Sequence, residues 1–133
     1  MVAEQRTGVV FFDHSAGDVD TIELAWVHSI EKTPWREVYR IDGDELELTD
    51  VYLKSYGAGA PADIGGVTTL ENGTIHISDI GTTIPELSWV HSHDTHHTLT
   101  INLKSSSEPV VFAGGIPQRS FLRAGVERHL RSH

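Results

Sequence analysis

Four of the nine histidines fall in the seven-residue run His91-Ser92-His93-Asp94-Thr95-His96-His97. Neutral imidazole is the commonest protein ligand for transition metals. On a continuing strand His91 and His93 project from one face, and His96, His97 or Asp94 could complete a set after a turn. A divalent transition metal, zinc or copper, is the cofactor this run suggests, and no other cofactor signature is present. The spacing matches neither the helical His-Glu-x-x-His pattern nor a zinc finger, and the glutamate of a cupin-like site is missing. A histidine-rich β-turn with adventitious metal affinity is the competing reading, because a cluster in sequence is not a coordination sphere.

A second candidate surrounds His28-Ser29-Ile30-Glu31-Lys32-Thr33-Pro34. His28 and Glu37 lie on the apolar-side register of two strands that flank one tight connection. Hairpin geometry predicts that they stand across from each other. A carboxylate beside an imidazole stabilises the charged ring or fixes the tautomer of the neutral one. The pair then serves as a polar ligand or ion site at one end of a sheet, or as a buried polar contact that pins the hairpin register. Ser29 is adjacent to His28, but neighbouring strand residues point to opposite faces, which argues against a nucleophile.

The third candidate is Ser55-Tyr56-Gly57-Ala58-Gly59-Ala60-Pro61. Its glycines allow positive φ or close approach of backbone to a ligand. It is neither a dinucleotide fingerprint nor a P-loop, since no helix-opening third glycine and no Gly-Lys-Ser/Thr follows. It reads as a structural turn or as a ligand-contacting loop. The scattered His14, His76, His129 and His133 read as surface residues.

The elements that must position these groups are strands. Ile22, Leu24, Trp26 and His28 alternate within Thr21 to His28, and Trp35, Glu37, Tyr39 and Ile41 alternate after Pro34. Asp42-Gly43-Asp44 is a hairpin signal, followed by Leu46, Leu48 and Tyr52 on a strand reaching Tyr56. Residues Ala58 to Gly66 suggest a long exposed loop, and Asn72-Gly73 a turn. Further strands are predicted at Thr74 to Ser78, Leu87 to His91, Thr98 to Leu103 and Val110 to Phe112. Phe121, Leu122, Val126 and Leu130 fit a helix stripe, interrupted by Gly125; a last strand from Val126 to Leu130 is the alternative. The expectation is an all-β antiparallel sandwich or open barrel of eight or nine short strands. Residues 1–7 are expected to be a disordered lead and 8–133 a single domain.

The 133 residues suit one domain with its own hydrophobic core. The absence of cysteine excludes disulfides, thiolate metal sites and thiol chemistry. A net charge of −9 with scattered Lys and Arg disfavours binding to a nucleic-acid backbone. No segment has the roughly 20 apolar residues of a membrane span. The polar stretch Met1 to Thr7 and the short run Val9-Val10-Phe11-Phe12 do not make a signal peptide, so by these signals alone a complete chain would be cytoplasmic.

Three stretches together carry a resemblance. His28-Ser29-Ile30-Glu31-Lys32-Thr33-Pro34 is followed by Glu37, Tyr39, Arg40 and Gly43. Ser55-Tyr56-Gly57-Ala58-Gly59 then precedes Pro61. His97-Thr98-Leu99, Ile116-Pro117 and Gly125-Val126 extend the likeness to about residues 8 to 130, and it favours strand over helix in the tail. This pattern resembles the domain of unknown function 1850 family. Members look like small exported or membrane-anchored proteins encoded beside TAXI-type TRAP transporters, which take up organic acids. The resemblance implies an extracytoplasmic or membrane-associated, non-enzymatic accessory or ligand-binding module. Its partners would be the transporter's membrane or substrate-binding subunits, and its ligand a small organic acid. His28, Ser29, Glu31, Thr33 and Glu37 with Ser55, Tyr56, Gly57 and Gly59 would form the contact site. The family carries no catalytic assignment. Members usually begin with a hydrophobic anchor, which this chain lacks, and His91-Ser92-His93 is not a family feature. A metal-binding β-domain, conceivably a hydrolase, and a structural protein-interaction domain are the alternative functions.

Overall fold

The computed structural model describes residues 1–27, 34–54, 66–71, 74–113, 115–117 and 119–126. Within them the regular structure is all strand, every pairing antiparallel, apart from one 3₁₀ turn at Ala16–Asp18. The larger sheet is built on β3 (Val19–Val27), β4 (Pro34–Asp42) and β5 (Glu45–Lys54). β10 (Thr98–Leu103) and β11 (Val110–Phe112) extend it on one side, and β7 (Thr74–Ser78) and β6 (Val67–Glu71) on the other. β8 (Thr82–Ile84) pairs with the first half of β5, whose second half pairs with β7. The smaller sheet runs β2 (Val10–Phe12), β1 (Val2–Glu4), β12 (Ser120–Ala124) and β9 (Leu87–His91).

The two sheets are joined by one core, which makes the architecture a sandwich. Leu87, Trp89, Leu122 and Ala124 of the smaller sheet pack with Ile22, Leu24, Tyr39, Leu46, Leu99 and Ile101 of the larger. Each fully buried branched side chain of this kind stabilises the fold by about 1.5–3 kcal/mol. A second cluster, Val51, Ile75 and Ile77, sits under the β5–β7 half of the large sheet. The Asp42-Gly43-Asp44 signal closes the β4–β5 hairpin: Asp42 pairs with Glu45, and Gly43 takes φ +63° at the first turn position, as a tight hairpin requires.

The structure departs from the sequence expectation at both ends. Twelve strands occur among the described residues, three or four more than expected. Residues Val2–Glu4, expected to lie in a disordered lead, are buried and form β1 against β12, with Val2 opposite Ala124. At Phe121 and Leu122 the helix stripe gives way to strand β12, which ends at Ala124; the alternative strand from Val126 to Leu130 lies, beyond Val126, outside the described residues. Its burial alternates residue by residue, because Ser120, Leu122 and Ala124 face the core while Phe121 and Arg123 face outward.

Glu4 fastens β1 to the rest of the sandwich. Its carboxylate accepts backbone N–H bonds from Arg6 (2.7 Å), Thr7 (3.1 Å) and Phe121 (2.8 Å). Burial alone would raise its pKa, but the donors from Arg6, Phe121 and Thr7, with the Arg6 charge, outweigh burial and hold it below the ordinary 4.5. A carboxyl whose folded pKa is depressed contributes stability above its unfolded pKa and loses it as pH falls through the folded value. Thermal melting of Glu4→Gln should therefore show a lower midpoint at neutral pH and a flatter decline below pH 4.5 than wild type.

Candidate functional site

β3 and β4 are paired with Leu24 opposite Glu37, Trp26 opposite Trp35 and Val27 opposite Pro34. Trp35 is in turn opposite Leu53 near the end of β5. The end of the large sheet at Val27, Pro34 and Lys54 is thus where segments 28–33 and 55–65 attach. His28, Ser29, Glu31 and Thr33, and Ser55, Tyr56, Gly57 and Gly59, lie outside the described residues. Their two segments nonetheless join the sheet at one end.

Glu37 does not occupy the expected place. Its partner across the hairpin is Leu24, so the register does not set it opposite His28. Its Oε1 accepts the Tyr39 hydroxyl at 2.8 Å and its Oε2 accepts Trp35 Nε1–H at 3.2 Å. Tyr39 is buried, and burial together with the Glu37 carboxylate pushes its phenol far above the ordinary 10. Glu37 therefore holds two aromatic rings of its own strand in place. Glu37→Leu should cost about 1–3 kcal/mol by leaving the Tyr39 hydroxyl without its acceptor. Adding Tyr39→Phe should restore part of that loss in urea denaturation.

The histidine run folds back on itself. β9 ends at His91, and a turn closed by His97 N–H to Ser92 O (3.0 Å) and His96 N–H to His93 O (3.2 Å) follows. The turn is fastened to the end of β3 by Val27 N–H to Thr95 O, 2.7 Å. His91 and His93 lie with ring centroids 5.8 Å apart, and His91 and His97 6.1 Å apart. His96 is separated from them: it is exposed, at φ +53°, and borders the sheet end.

Both ring nitrogens of His91, Nε2 of His93 and Nδ1 of His97 are engaged by the protein. His91 is fully buried; its Nδ1 accepts Trp89 Nε1–H at 3.1 Å, so its Nε2–H donates to Ala113 O at 2.8 Å. His93 Nε2–H donates to Ile116 O at 2.7 Å. His97 Nδ1 is 2.8 Å from Thr95 Oγ1. Burial first, then the neighbouring His93, depresses the His91 pKa, partly opposed by the Ala113 carbonyl. His97 is lowered in the same way, by burial and then by His91, against its Ser92 contact. Among the described residues no group of three His, Asp or Glu side chains is arranged to hold a metal ion. The cluster is built as a hydrogen-bonded brace in which burial favours the neutral form of His91 and His97.

That brace supports an aromatic floor. His97 stacks on Trp26 with centroids 5.6 Å apart and planes 10° apart, and Trp26 stacks on Trp35 at 5.9 Å. An open cleft of about 370 Å³ at the same sheet end is lined by both tryptophans, Pro34, Leu53 and His96, and by Ala25, Arg36 and Tyr52, whose strand positions alternate with those of the tryptophans and belong to the other face of the sheet. Arg36 is held over the Tyr52 ring at 4.2 Å and 3.4 Å from Glu23 Oε1. Tyr52 stacks on His76, which bonds Asp50 at 2.6 Å, so His76 belongs to a ladder on the sheet's outer face and is half-buried. The sequence reading placed Trp26 and Trp35 on the apolar register but did not select them or Arg36. The available signal was a tryptophan at each side of the same motif-bearing connection.

Comparison with known proteins gives one match. The family model described as a domain of unknown function, DUF1850, covers residues 22–107, from β3 through β10. Both segments at the sheet end fall inside it; Ile116-Pro117 and Gly125-Val126 fall outside. No curated protein and no solved structure matches the chain. With more than half of its length matched, the chain belongs to the DUF1850 family.

Proposed function

We propose that this chain is a non-enzymatic ligand-binding accessory module of a TAXI-type TRAP transporter, and that its sheet-end cleft takes a small organic acid. The observation that carries this reading is a convergence. The apolar cleft over Trp26 and Trp35 opens at the end of the sheet from which both motif segments, 28–33 and 55–65, depart. Clefts of this kind, mostly apolar with a few placed polar groups, are the usual form of small-molecule sites. Arg36 supplies the polar group for a carboxylate. A guanidinium has five N–H donors in a planar fork, and Glu23 engages one edge at 3.4 Å. A ligand with an apolar body and one carboxylate would span the sheet end from the tryptophans to the Arg36 guanidinium on the adjoining face.

Co-expression with the membrane and substrate-binding subunits of a TAXI-type TRAP transporter from the same genome tests the accessory role. The tagged protein should retain at least one subunit through purification, and Trp35→Leu should reduce that retention. Recovery of neither subunit, from wild type or variant, would overturn the assignment.

A further inference from the structure

At the opposite end of the sandwich from the aromatic cleft, the two sheets part around a second cavity of about 310 Å³. This volume is at the lower end of the roughly 300–1,000 Å³ found for small-molecule pockets. Its floor is core: Val2 and Ala124 from the small sheet, and Val19, Ile22, Leu46 and Ile101 from the large one, none more than 8% exposed. Protein interiors ordinarily leave few voids larger than a water molecule. Here the gap between the sheets reaches side chains that are otherwise closed to solvent. Water over such a floor has few polar partners, and an apolar group that displaces it gains affinity.

The mouth is polar and fixed. His14 stacks on Phe12 with centroids 5.7 Å apart, and both line the cavity. The His14 Nε2 lies 2.8 Å from Asp18 Oδ2. Asp18 is itself held by Ser105, through the backbone N–H at 2.9 Å and the hydroxyl at 2.5 Å. The Ser105 hydroxyl, then His14, and then the Ser105 N–H hold the Asp18 carboxyl below its ordinary range against a smaller effect of burial. The Asp18 contact occupies Nε2 of His14. Asp13 adds a second carboxylate at the mouth. The charged groups here are the Asp13 and Asp18 carboxylates and the Met1 ammonium, which also lines the cavity and donates to Gly125 O at 2.8 Å.

We infer that this inter-sheet cavity is a second binding site, for a small aliphatic molecule whose head group donates hydrogen bonds: a primary amine or an alcohol. An acid of the same length meets the Asp13 carboxylate at the mouth. This site is independent of the carboxylate cleft, from which it is separated by the length of β3.

The test is titration of the full ¹⁵N-labelled chain with hexylamine, 1-hexanol and hexanoate, read at the amides of residues 12–19 and 41–46. Hexylamine and 1-hexanol should give saturable shifts there, and hexanoate should bind at this end at least about tenfold more weakly. Ala16→Trp, placed at the mouth and outside the core, should abolish the shifts with the melting temperature retained. Asp13→Asn should weaken hexylamine and leave 1-hexanol unchanged. The inference is overturned if neither hexylamine nor 1-hexanol gives saturable shifts at these amides, or if hexanoate matches hexylamine there. It is equally overturned if a folded Ala16→Trp protein binds as wild type does. Because the readout is confined to this end, failure here leaves the carboxylate cleft standing.

Discussion

His91→Leu should destabilise the protein by about 2–4 kcal/mol, while His93→Leu should cost under about 1 kcal/mol. The asymmetry follows from burial. His91 is fully enclosed and satisfies two groups at once, the Trp89 indole N–H and the Ala113 carbonyl. Leucine fills much of the space but offers neither acceptor nor donor, so both groups lose their partner in or near the core. His93 is an exposed residue whose bond to Ile116 O is only partly buried, so water can replace it. Against a typical total stability of about 5–15 kcal/mol, the His91 loss is large. Urea denaturation of the two variants measures it. Equal effects of the two substitutions would contradict the brace. The same account expects tag-free protein to carry metal well below one equivalent, unchanged in the His91→Ala/His93→Ala double variant.

The brace also sets a pH dependence. The folded pKa values of His91 and His97 both lie below the ordinary 6.5, so the fold selects the neutral rings. Protonation then favours the unfolded chain. Their contribution is fully present above pH 6.5 and is lost as pH falls through the folded values. Melting temperature should decline as pH falls below 6.5, and the decline should be smaller in His91→Leu.

Arg36→Gln should weaken binding of an organic carboxylate about 10- to 100-fold with little change in stability. Truncating a charge-assisted hydrogen bond to a ligand costs about 1.5–3 kcal/mol. The fold loses much less, because the Arg36–Glu23 contact is long and half-exposed, and such pairs contribute about 0–1 kcal/mol. Arg36→Lys should not restore affinity fully. Lysine lacks the planar fork and cannot stack on Tyr52 as the guanidinium does. Carboxylate affinity unchanged in Arg36→Gln would remove Arg36 from the site.

Regular alternation made much of this fold legible. Thr74–Ser78, Leu87–His91, Thr98–Leu103 and Val110–Phe112 were readable to the residue, since their side chains alternate between core and solvent or follow clear turn signals. β1 was not, because three residues carry no period and their pairing with β12 spans almost the whole chain. β6 was missed for a different reason: Val67 to Leu70 are all exposed at the sheet edge, so no core face marks them. In the tail, two apolar residues side by side, Phe121 and Leu122, imitated a helix stripe, although only Leu122 faces inward.

The site was legible in its pieces and not in its assembly. Clustering of the histidines in sequence did foretell that His91, His93 and His97 meet in space. It could not reveal that Trp89 and the Ala113 carbonyl take both nitrogens of His91, or that Ile116 O and Thr95 take one each of His93 and His97. The expected opposition of His28 and Glu37 failed on register, which Trp26 and Trp35 set by pairing directly across the hairpin. Those two tryptophans, strand residues by pattern, become the cleft floor only because β5 ends beside them and the histidine turn packs behind Trp26.

Tryptophan fluorescence of the wild-type protein during titration with phenylacetate and hexanoate tests the central claim most directly. Trp26 and Trp35 report the cleft, and the buried Trp89 supplies a constant background. The account predicts a saturable change for at least one of the two acids, with a dissociation constant of about 1 mM or tighter, weakened in Arg36→Gln and lost in Trp35→Leu. A flat titration with both acids, or a saturable change that survives unaltered in both variants, would contradict it.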